Sequence, residues 1–171
     1  MSDVQAGGEA AAEADEAQRP QIQINAQYIK DLSFENPAAP QSLFDEEPPQ
    51  VDVSVDVGAQ TFGDDRYEVE LRITARANRG EDRLFIAEVI YAGVFTLINV
   101  DEAAVRPVCL IECPRMLFPF ARRVIADVTR DGGFPPLMLD PIDFTALLIN
   151  AQEEAAGQDS TAGEAAQGPT A

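Results

Sequence analysis

Histidine is absent from this chain of 171 residues, and its absence excludes much of ordinary enzyme chemistry. Histidine is the commonest general base and metal ligand near neutral pH. An enzyme without it needs another signature, such as a glycine-rich phosphate loop, a nucleophile elbow or a set of converging carboxylates. The sequence carries none of these, so we predict that the protein is not an enzyme and uses no metal and no cofactor.

Cationic residues are also scarce. The chain has 12 basic and 30 acidic residues, a formal net charge of −18, and Lys30 is its single lysine. Phosphate groups are bound by clustered lysine and arginine, so this charge repels nucleic acid and anionic lipid. We predict polypeptide partners instead, and a basic partner would be attracted by the long-range field in a salt-dependent way.

Long apolar runs are missing as well, and cysteine is rare. No run approaches the roughly 18 to 20 residues that span a bilayer, and the acidic N-terminal segment does not resemble a signal peptide. This predicts a cytoplasmic protein without direct membrane insertion. Cys109 and Cys113 lie four positions apart, and two thiols without histidine make an incomplete zinc site. We interpret them as two small buried side chains rather than a zinc site or a disulfide.

The remaining composition predicts one folded domain between two tails. With 46% apolar residues, the chain can bury one sizeable core. Residues 1–20 are acidic and rich in alanine, and residues 153–171 are rich in glycine, alanine and glutamine. Such segments bury too little apolar surface to fold alone. We therefore predict a disordered N-terminal tail, a domain over residues 21–152 and a flexible C-terminal tail.

The first strand carries the most informative pattern. Period-two alternation predicts an apolar side, formed by Ile22, Ile24, Ala26, Tyr28, Leu32 and Phe34. The other side carries Asp31, Ser33 and Glu35. In a regular strand the two carboxylates are about 13 Å apart, too far for shared acid–base chemistry or joint metal binding. That spacing favours a docking surface.

Three further strands follow. The second has an apolar side of Val51, Val53, Val55 and Val57, and the third has one running from Tyr67 to Ala77. Short connections containing Gly63 and Gly80 are typical of hairpins, so neighbouring strands should be antiparallel.

The fourth strand, residues 84–94, is apolar on both sides except for Glu88. Either the chain covers both sides itself, or a second copy covers one of them. We favour a second copy, because the chain has few helical segments with which to cover both faces of a sheet.

Helical spacing begins after Gly93. Apolar residues from Met116 to Val128 recur at helical intervals before Gly132, and a last helix is predicted to begin near residues 140–143. The connection Phe134–Leu139 consists of six apolar residues. It either packs as ordinary core or forms the wall of a hydrophobic groove.

Together these segments resemble the bacterial export chaperone family SecB. The resemblance runs from about Ile22 to Gln152 and follows the family only loosely between Asn99 and Leu110, so no role is transferred to either cysteine. It rests on four stretches in the family's order: YIKDLSFENP (28–37), YEVELRIT (67–74), CPRMLFPFAR (113–122) and GFPPLML (133–139).

The resemblance implies an α+β fold, a four-stranded antiparallel sheet with helices packed on one face, that assembles as a homotetramer, a dimer of dimers. It implies an ATP-independent holdase that binds unfolded secretory precursor proteins in an apolar groove and delivers them to the motor SecA for translocation. Two alternatives stay open: a structural oligomeric or adaptor protein without holdase activity, and a small-ligand binding protein with a closed pocket.

The resemblance also implies three sets of site residues. The residues matching the SecA-binding surface are Asp31, Glu35, Ile86 and Glu88. The residues matching the substrate-binding groove are Val51, Val53, Val55, Phe134, Leu137, Met138 and Leu139. The residues matching the oligomer interface are Phe85, Ala87, Val89 and Tyr91.

Overall fold

The computed structural model describes residues 19–44 and 47–164. The chain divides into two compact units, one ending at Leu139 and one beginning at Asp140. Most of the predicted N-terminal tail, residues 1–18, lies outside the described residues, as do residues 165–171 of the predicted C-terminal tail.

Four antiparallel strands form the sheet of the first unit. They are β1 (Gln21–Glu35), β2 (Gln50–Thr61), β3 (Arg66–Arg79) and β4 (Asp82–Ile98), in the order β1-β4-β3-β2. Gly63 and Gly80 have positive φ angles of 101° and 58°, which let the chain reverse in the two hairpins. The predicted α+β fold with a four-stranded antiparallel sheet is confirmed.

Two bulges in β1 change which side chains face which way. The pairing with β4 shifts between Ile24 and Ala26 and again between Ile29 and Asp31. Each extra residue moves the following side chains to the opposite face. The expectation that Ala26 and Tyr28 share a side with Leu32 is therefore wrong, whereas Asp31 and Glu35 do share a face, because no shift separates them.

The helical part of this unit is longer than its periodicity predicted. It comprises α1 (Glu102–Pro107), a π-helical segment (Val108–Glu112) and α2 (Cys113–Asp131). Helix α2 packs on β4 and β3 and ends, as expected, at Gly132 and Gly133. We call the covered side of the sheet the helix face and the opposite side, which carries Asp31, Glu88 and Arg72, the open face.

The four side chains assigned to an oligomer interface lie on the helix face of the sheet. Phe85, Ala87, Val89 and Tyr91 are at most 8% exposed and belong to the core under α2. The Tyr91 ring stacks on Phe120 of α2, with centroids 6.1 Å apart. On this side of β4 the side chains are buried in the chain's own core, which is the alternative that the sequence left open. These four side chains therefore offer little surface to a second copy.

Both cysteines lie on the helix face of the first unit. Cys109 and Cys113 are 2% and 0% exposed and form no disulfide, which confirms the prediction of two small buried side chains. Hydrogen bonding to Cys109, together with burial, raises the pKa of the Cys113 thiol. Both thiols are therefore packed as apolar groups.

Among residues 140–164 of the second unit there is one helix, α3 (Phe144–Glu164), which continues beyond residue 152. Asp143 caps it: its Oδ1 accepts hydrogen bonds from the backbone N–H groups of Thr145 and Ala146, at 3.0 and 3.1 Å. Among residues 19–44 and 47–164, no helix is both long and apolar enough to cross a membrane.

Candidate functional site

An apolar groove opens at one end of the helix face. Its volume is about 460 Å³, and its walls come from the crossover loop (residues 133–137), the ends of β2 and β4, and the segment before β2. The apolar and glycine lining residues are Leu43, Pro48, Pro49, Val51, Leu84, Phe85, Gly133, Phe134, Pro135, Pro136 and Leu137. Such a lining suits apolar side chains of an extended peptide, because apolar burial does not depend on direction.

The crossover loop is held against the end of α2 by Thr129. The backbone N–H of Leu137 donates to Thr129 Oγ1 at 3.0 Å, and this buried hydroxyl donates to the carbonyl oxygen of Ile125 at 2.9 Å. One hydroxyl therefore satisfies a backbone group of the loop and fixes the loop relative to the helix.

The opposite wall is attached to the end of β3. Arg79 Nε donates to the backbone carbonyl of Glu47 at 3.0 Å, and Pro48 and Pro49 follow directly. Proline fixes its own φ, so this wall needs few contacts to hold its shape.

An aromatic cluster lies beneath the groove. The Phe85 ring packs on Phe34 of β1, with centroids 5.7 Å apart, and on Phe134 of the crossover loop, with centroids 4.9 Å apart. Aromatic pairs at these separations contribute beyond the area they bury. The cluster connects the first strand to the loop that lines the groove.

The groove residues expected from the sequence fall into two groups. Val51, Phe134 and Leu137 line the cavity. The other four lie outside it: Val53 and Val55 continue along the same side of β2, Met138 is 61% exposed, and Leu139 is buried at 6%.

The sequence reasoning missed the wall formed by Leu43, Pro48 and Pro49. The available signal was an apolar pair, Leu43 and Phe44, in a proline-rich connection between two strands.

The open face gathers the four residues expected to dock SecA. Asp31 and Glu35 lie on β1, and Ile86 and Glu88 lie on the adjacent β4. Glu35 pairs with Ile86, and Ser33 pairs with Glu88, so the four side chains share one face on neighbouring strands. Neither Asp31 nor Glu35 takes part in an ion pair with any residue of the described part of the chain.

Other acids of the open face are paired within the chain. Lys30 Nζ lies 2.9 Å from an oxygen of Glu68 and 2.5 Å from one of Glu70. Tyr28 and Gln60 also donate hydrogen bonds to Glu68. Glu88 is paired with Arg72, at 2.5 Å.

These contacts lower the pKa of Glu68 and raise the pKa values of Tyr28 and Lys30. Hydrogen bonds from Tyr28 and Lys30 lower the pKa of Glu68, because they stabilise its charged form. The hydrogen bond to Glu68 raises the pKa of Tyr28, and those to Glu70 and Glu68 raise the pKa of Lys30. At neutral pH a charged Glu68 is therefore held by a charged Lys30.

The fold and these two surfaces define an α+β binding protein, with an apolar groove on one face of a sheet and an acidic face on the other. The family model of the preprotein translocase subunit SecB matches residues 15–155. The protein-export protein SecB of Maricaulis maris is 58% identical over 132 residues, 77% of each chain. That of a Bradyrhizobium species is 51% identical over 149 residues, which are 86% of this chain and 92% of the relative.

Among solved structures, a SecB-like chaperone of Mycobacterium tuberculosis in complex with a peptide from the HigA1 antitoxin has the same fold. Its TM-score is 0.61 at 17% identity, and the match covers 82% of this chain and 99% of that one. With a family model matching most of the chain and relatives above 50% identity, the chain belongs to the SecB family.

Proposed function

We propose that this protein is an ATP-independent export chaperone of the cytoplasm that holds non-native precursor proteins and delivers them to SecA. The observation that supports this most strongly is the separation of its two surfaces. The groove lies on the helix face, whereas Asp31 and Glu88 lie on the open face of the same sheet. A client in the groove therefore leaves the acidic face free for a second partner, as a handover requires.

Client capture is supported by the chemistry of the groove. Burial of apolar surface stabilises a complex by roughly 25 cal/mol per Å² whatever the sequence of the ligand. Val53 and Met138, which are 43% and 61% exposed, add apolar surface near the cavity. Folded proteins hide their apolar side chains, so the groove selects chains that have not yet folded.

SecA docking is supported by charge and shape. Asp31 and Glu35 have no internal counter-ion among the described residues, and Ile86 adds a half-buried apolar contact between them and β3. A cationic surface of the motor would gain Coulomb attraction from these acids and apolar burial at the centre.

Assembly as a homotetramer, a dimer of dimers, is supported by β1 instead of the buried side of β4. β1 is an edge strand, and three of its side chains are large, apolar and about half exposed: Ile24 at 40%, Ile29 at 46% and Leu32 at 42%. An exposed apolar edge of this length is normally covered by another chain.

The separation of surfaces is tested with the double variant Asp31→Ala and Glu88→Ala. We expect its affinity for SecA to fall about tenfold or more, because two charges of the docking face are removed. Suppression of the aggregation of a slowly folding precursor should stay unchanged, because both residues lie on the opposite face from the groove. Both activities are measured on the same preparations, by calorimetry and by light scattering.

The matched control removes two acids outside the docking face, Asp64→Ala and Glu81→Ala, both exposed in hairpin turns. It carries the same net charge as the test variant and should bind SecA nearly as the unaltered protein does. Equal loss of both activities in the test variant would refute the separation of surfaces. Failure of the unaltered protein to suppress aggregation would favour a structural oligomer without holdase activity.

A further inference from the structure

The acids of the open face differ in whether the chain itself neutralises them. Asp31 and Glu35 are unpaired among the described residues, whereas Glu88 is held on both of its oxygens. Arg72 Nη1 lies 2.5 Å from Glu88 Oε1, and the Thr74 hydroxyl donates to Glu88 Oε2 at 3.4 Å. Glu88 is therefore occupied in the free protein, although it lies in the proposed docking surface.

The strand register places Arg72 where it can reach Glu88 across the sheet. Thr74 pairs directly with Glu88 and Arg72 with Ile90, so Arg72 and Glu88 are diagonal neighbours on β3 and β4. The side chains are 44% and 29% exposed. An ion pair this accessible contributes little to stability and can open without disturbing the core.

A cationic group of a partner meets Glu88 already bound to a guanidinium. It must displace Arg72, and it also meets the like charge of Arg72 as it approaches. We propose that Arg72 is an intramolecular competitor for the cationic partner of the open face, weakening docking through its ion pair with Glu88. This inference rests on the proposed SecA docking and adds to it a residue that sets how tightly the motor is held.

Such a competitor has a consequence for handover. Because Glu88 of the open face is already paired with Arg72, the open face binds its partner only moderately. The partner therefore dissociates again after a client has been passed on. Arg72 would thus keep the chaperone reusable at the cost of affinity.

The experiment compares Arg72→Gln with Arg76→Gln for binding to purified SecA at low and high salt. Arg76 is the matched control, because it lies on the same face of the same strand, pairs in register with Ile86, and forms no ion pair with any described residue. Both variants remove one positive charge from the open face. Only Arg72→Gln releases an acid.

We expect Arg72→Gln to lower the dissociation constant for SecA about two- to fivefold relative to Arg76→Gln at low salt, the range set by opening an exposed ion pair. The difference should shrink at high salt. Thermal unfolding of both variants is measured in parallel. A purely structural pair would change the melting temperature of Arg72→Gln without changing SecA affinity.

A double-mutant cycle decides whether Arg72 acts through Glu88. In a Glu88→Gln background, Arg72→Gln should affect SecA binding no more than Arg76→Gln does, because no acid remains to be released. If the unaltered protein binds SecA but Arg72→Gln and Arg76→Gln behave alike, the competitor role is wrong while the docking proposal stands. If the unaltered protein does not bind SecA, the docking proposal fails and the competitor role fails with it.

Discussion

Thr129 is a residue whose side chain links the crossover loop to the end of α2. Its hydroxyl is fully buried and accepts the hydrogen bond from the backbone N–H of Leu137, a residue that lines the groove. The Thr129→Val variant keeps the shape of the side chain but leaves that N–H without its acceptor. We expect a loss of about 1 kcal/mol or more in the free energy of unfolding, the cost of leaving a partly buried donor unsatisfied.

The same variant should weaken precursor binding, because the loop that carries Leu137 loses its anchor. Thr129→Ser is the control: it retains the hydroxyl and removes one buried methyl, at about 0.8 kcal/mol. Denaturant unfolding gives the two stabilities, and precursor titration gives the two affinities. If both variants bind precursor as tightly as the unaltered protein, Thr129 stabilises the fold without shaping the groove.

Single residues were predictable from the sequence where alternation or a motif determined them. Asp31 and Glu35 share a face because both lie beyond the second bulge. Ile86 and Glu88 lie outside the four motif stretches and were assigned from the family resemblance that extends from about Ile22 to Gln152. Arg72 was not predictable as the partner of Glu88. Their contact depends on the register between β3 and β4, and the spacing of residues along one strand contains no information on that register.

At the scale of elements, the contact between β1 and the end of α2 supports the aromatic cluster. A Cβ at Gly132 would overlap the ring of Phe34, which packs on Phe85. We expect Gly132→Ala to displace that ring and to lower the free energy of unfolding by about 1 to 3 kcal/mol, as overpacking does. Precursor affinity should fall as well, because Phe85 lines the groove.

Gly58→Ala is the control for this change, because a Cβ there meets nothing within 4 Å. It should alter stability by no more than about 0.5 kcal/mol. Both variants are compared by thermal unfolding and by precursor titration. A Gly132→Ala protein as stable as Gly58→Ala would mean that the Phe34 ring moves aside freely and that the cluster does not connect β1 to the groove.

The four strands were predictable as elements, but their order β1-β4-β3-β2, the bulges and the exact helical start were not. The alternation of β2 and β3 survives intact because the two pair without a shift, whereas the two bulges of β1 break a pattern that looked continuous. Pro107 and Pro114 lie within the helical path, and a π-helical segment between them lets it continue from Glu102 to Asp131. Neither feature leaves a simple period in the sequence.

At the scale of the whole molecule, β4 is covered on one side by a helix of its own chain. The sequence showed that both sides of β4 are apolar, but it did not show that α2 covers the side carrying Val89 and Tyr91. The exposed edge of β1 is the surface that we propose for contact with a second copy. Its location follows from strand order, which puts β1 at the edge, next to β4.

This location of the interface is tested by charging the edge with Ile29→Asp and Leu32→Asp. The two side chains are 46% and 42% exposed, so the fold of one chain should tolerate the changes. We expect light scattering to give about four times the chain mass of 18.5 kDa for the unaltered protein and a lower multiple for the variant, because paired interfaces would bring the new charges together in a water-poor contact.

The control is Phe62→Asp, which charges a large apolar side chain, 58% exposed, just after β2, at the opposite edge of the sheet. It changes the net charge by one and should leave the assembly intact, whereas charge repulsion alone would dissociate the complex in proportion to the charge added. An unchanged mass for the β1 variant, with its fold verified by circular dichroism, would exclude this edge as the interface. A mass of one chain for the unaltered protein at working concentration would overturn the tetramer itself, and the groove and the acidic face would then have to act within a single subunit.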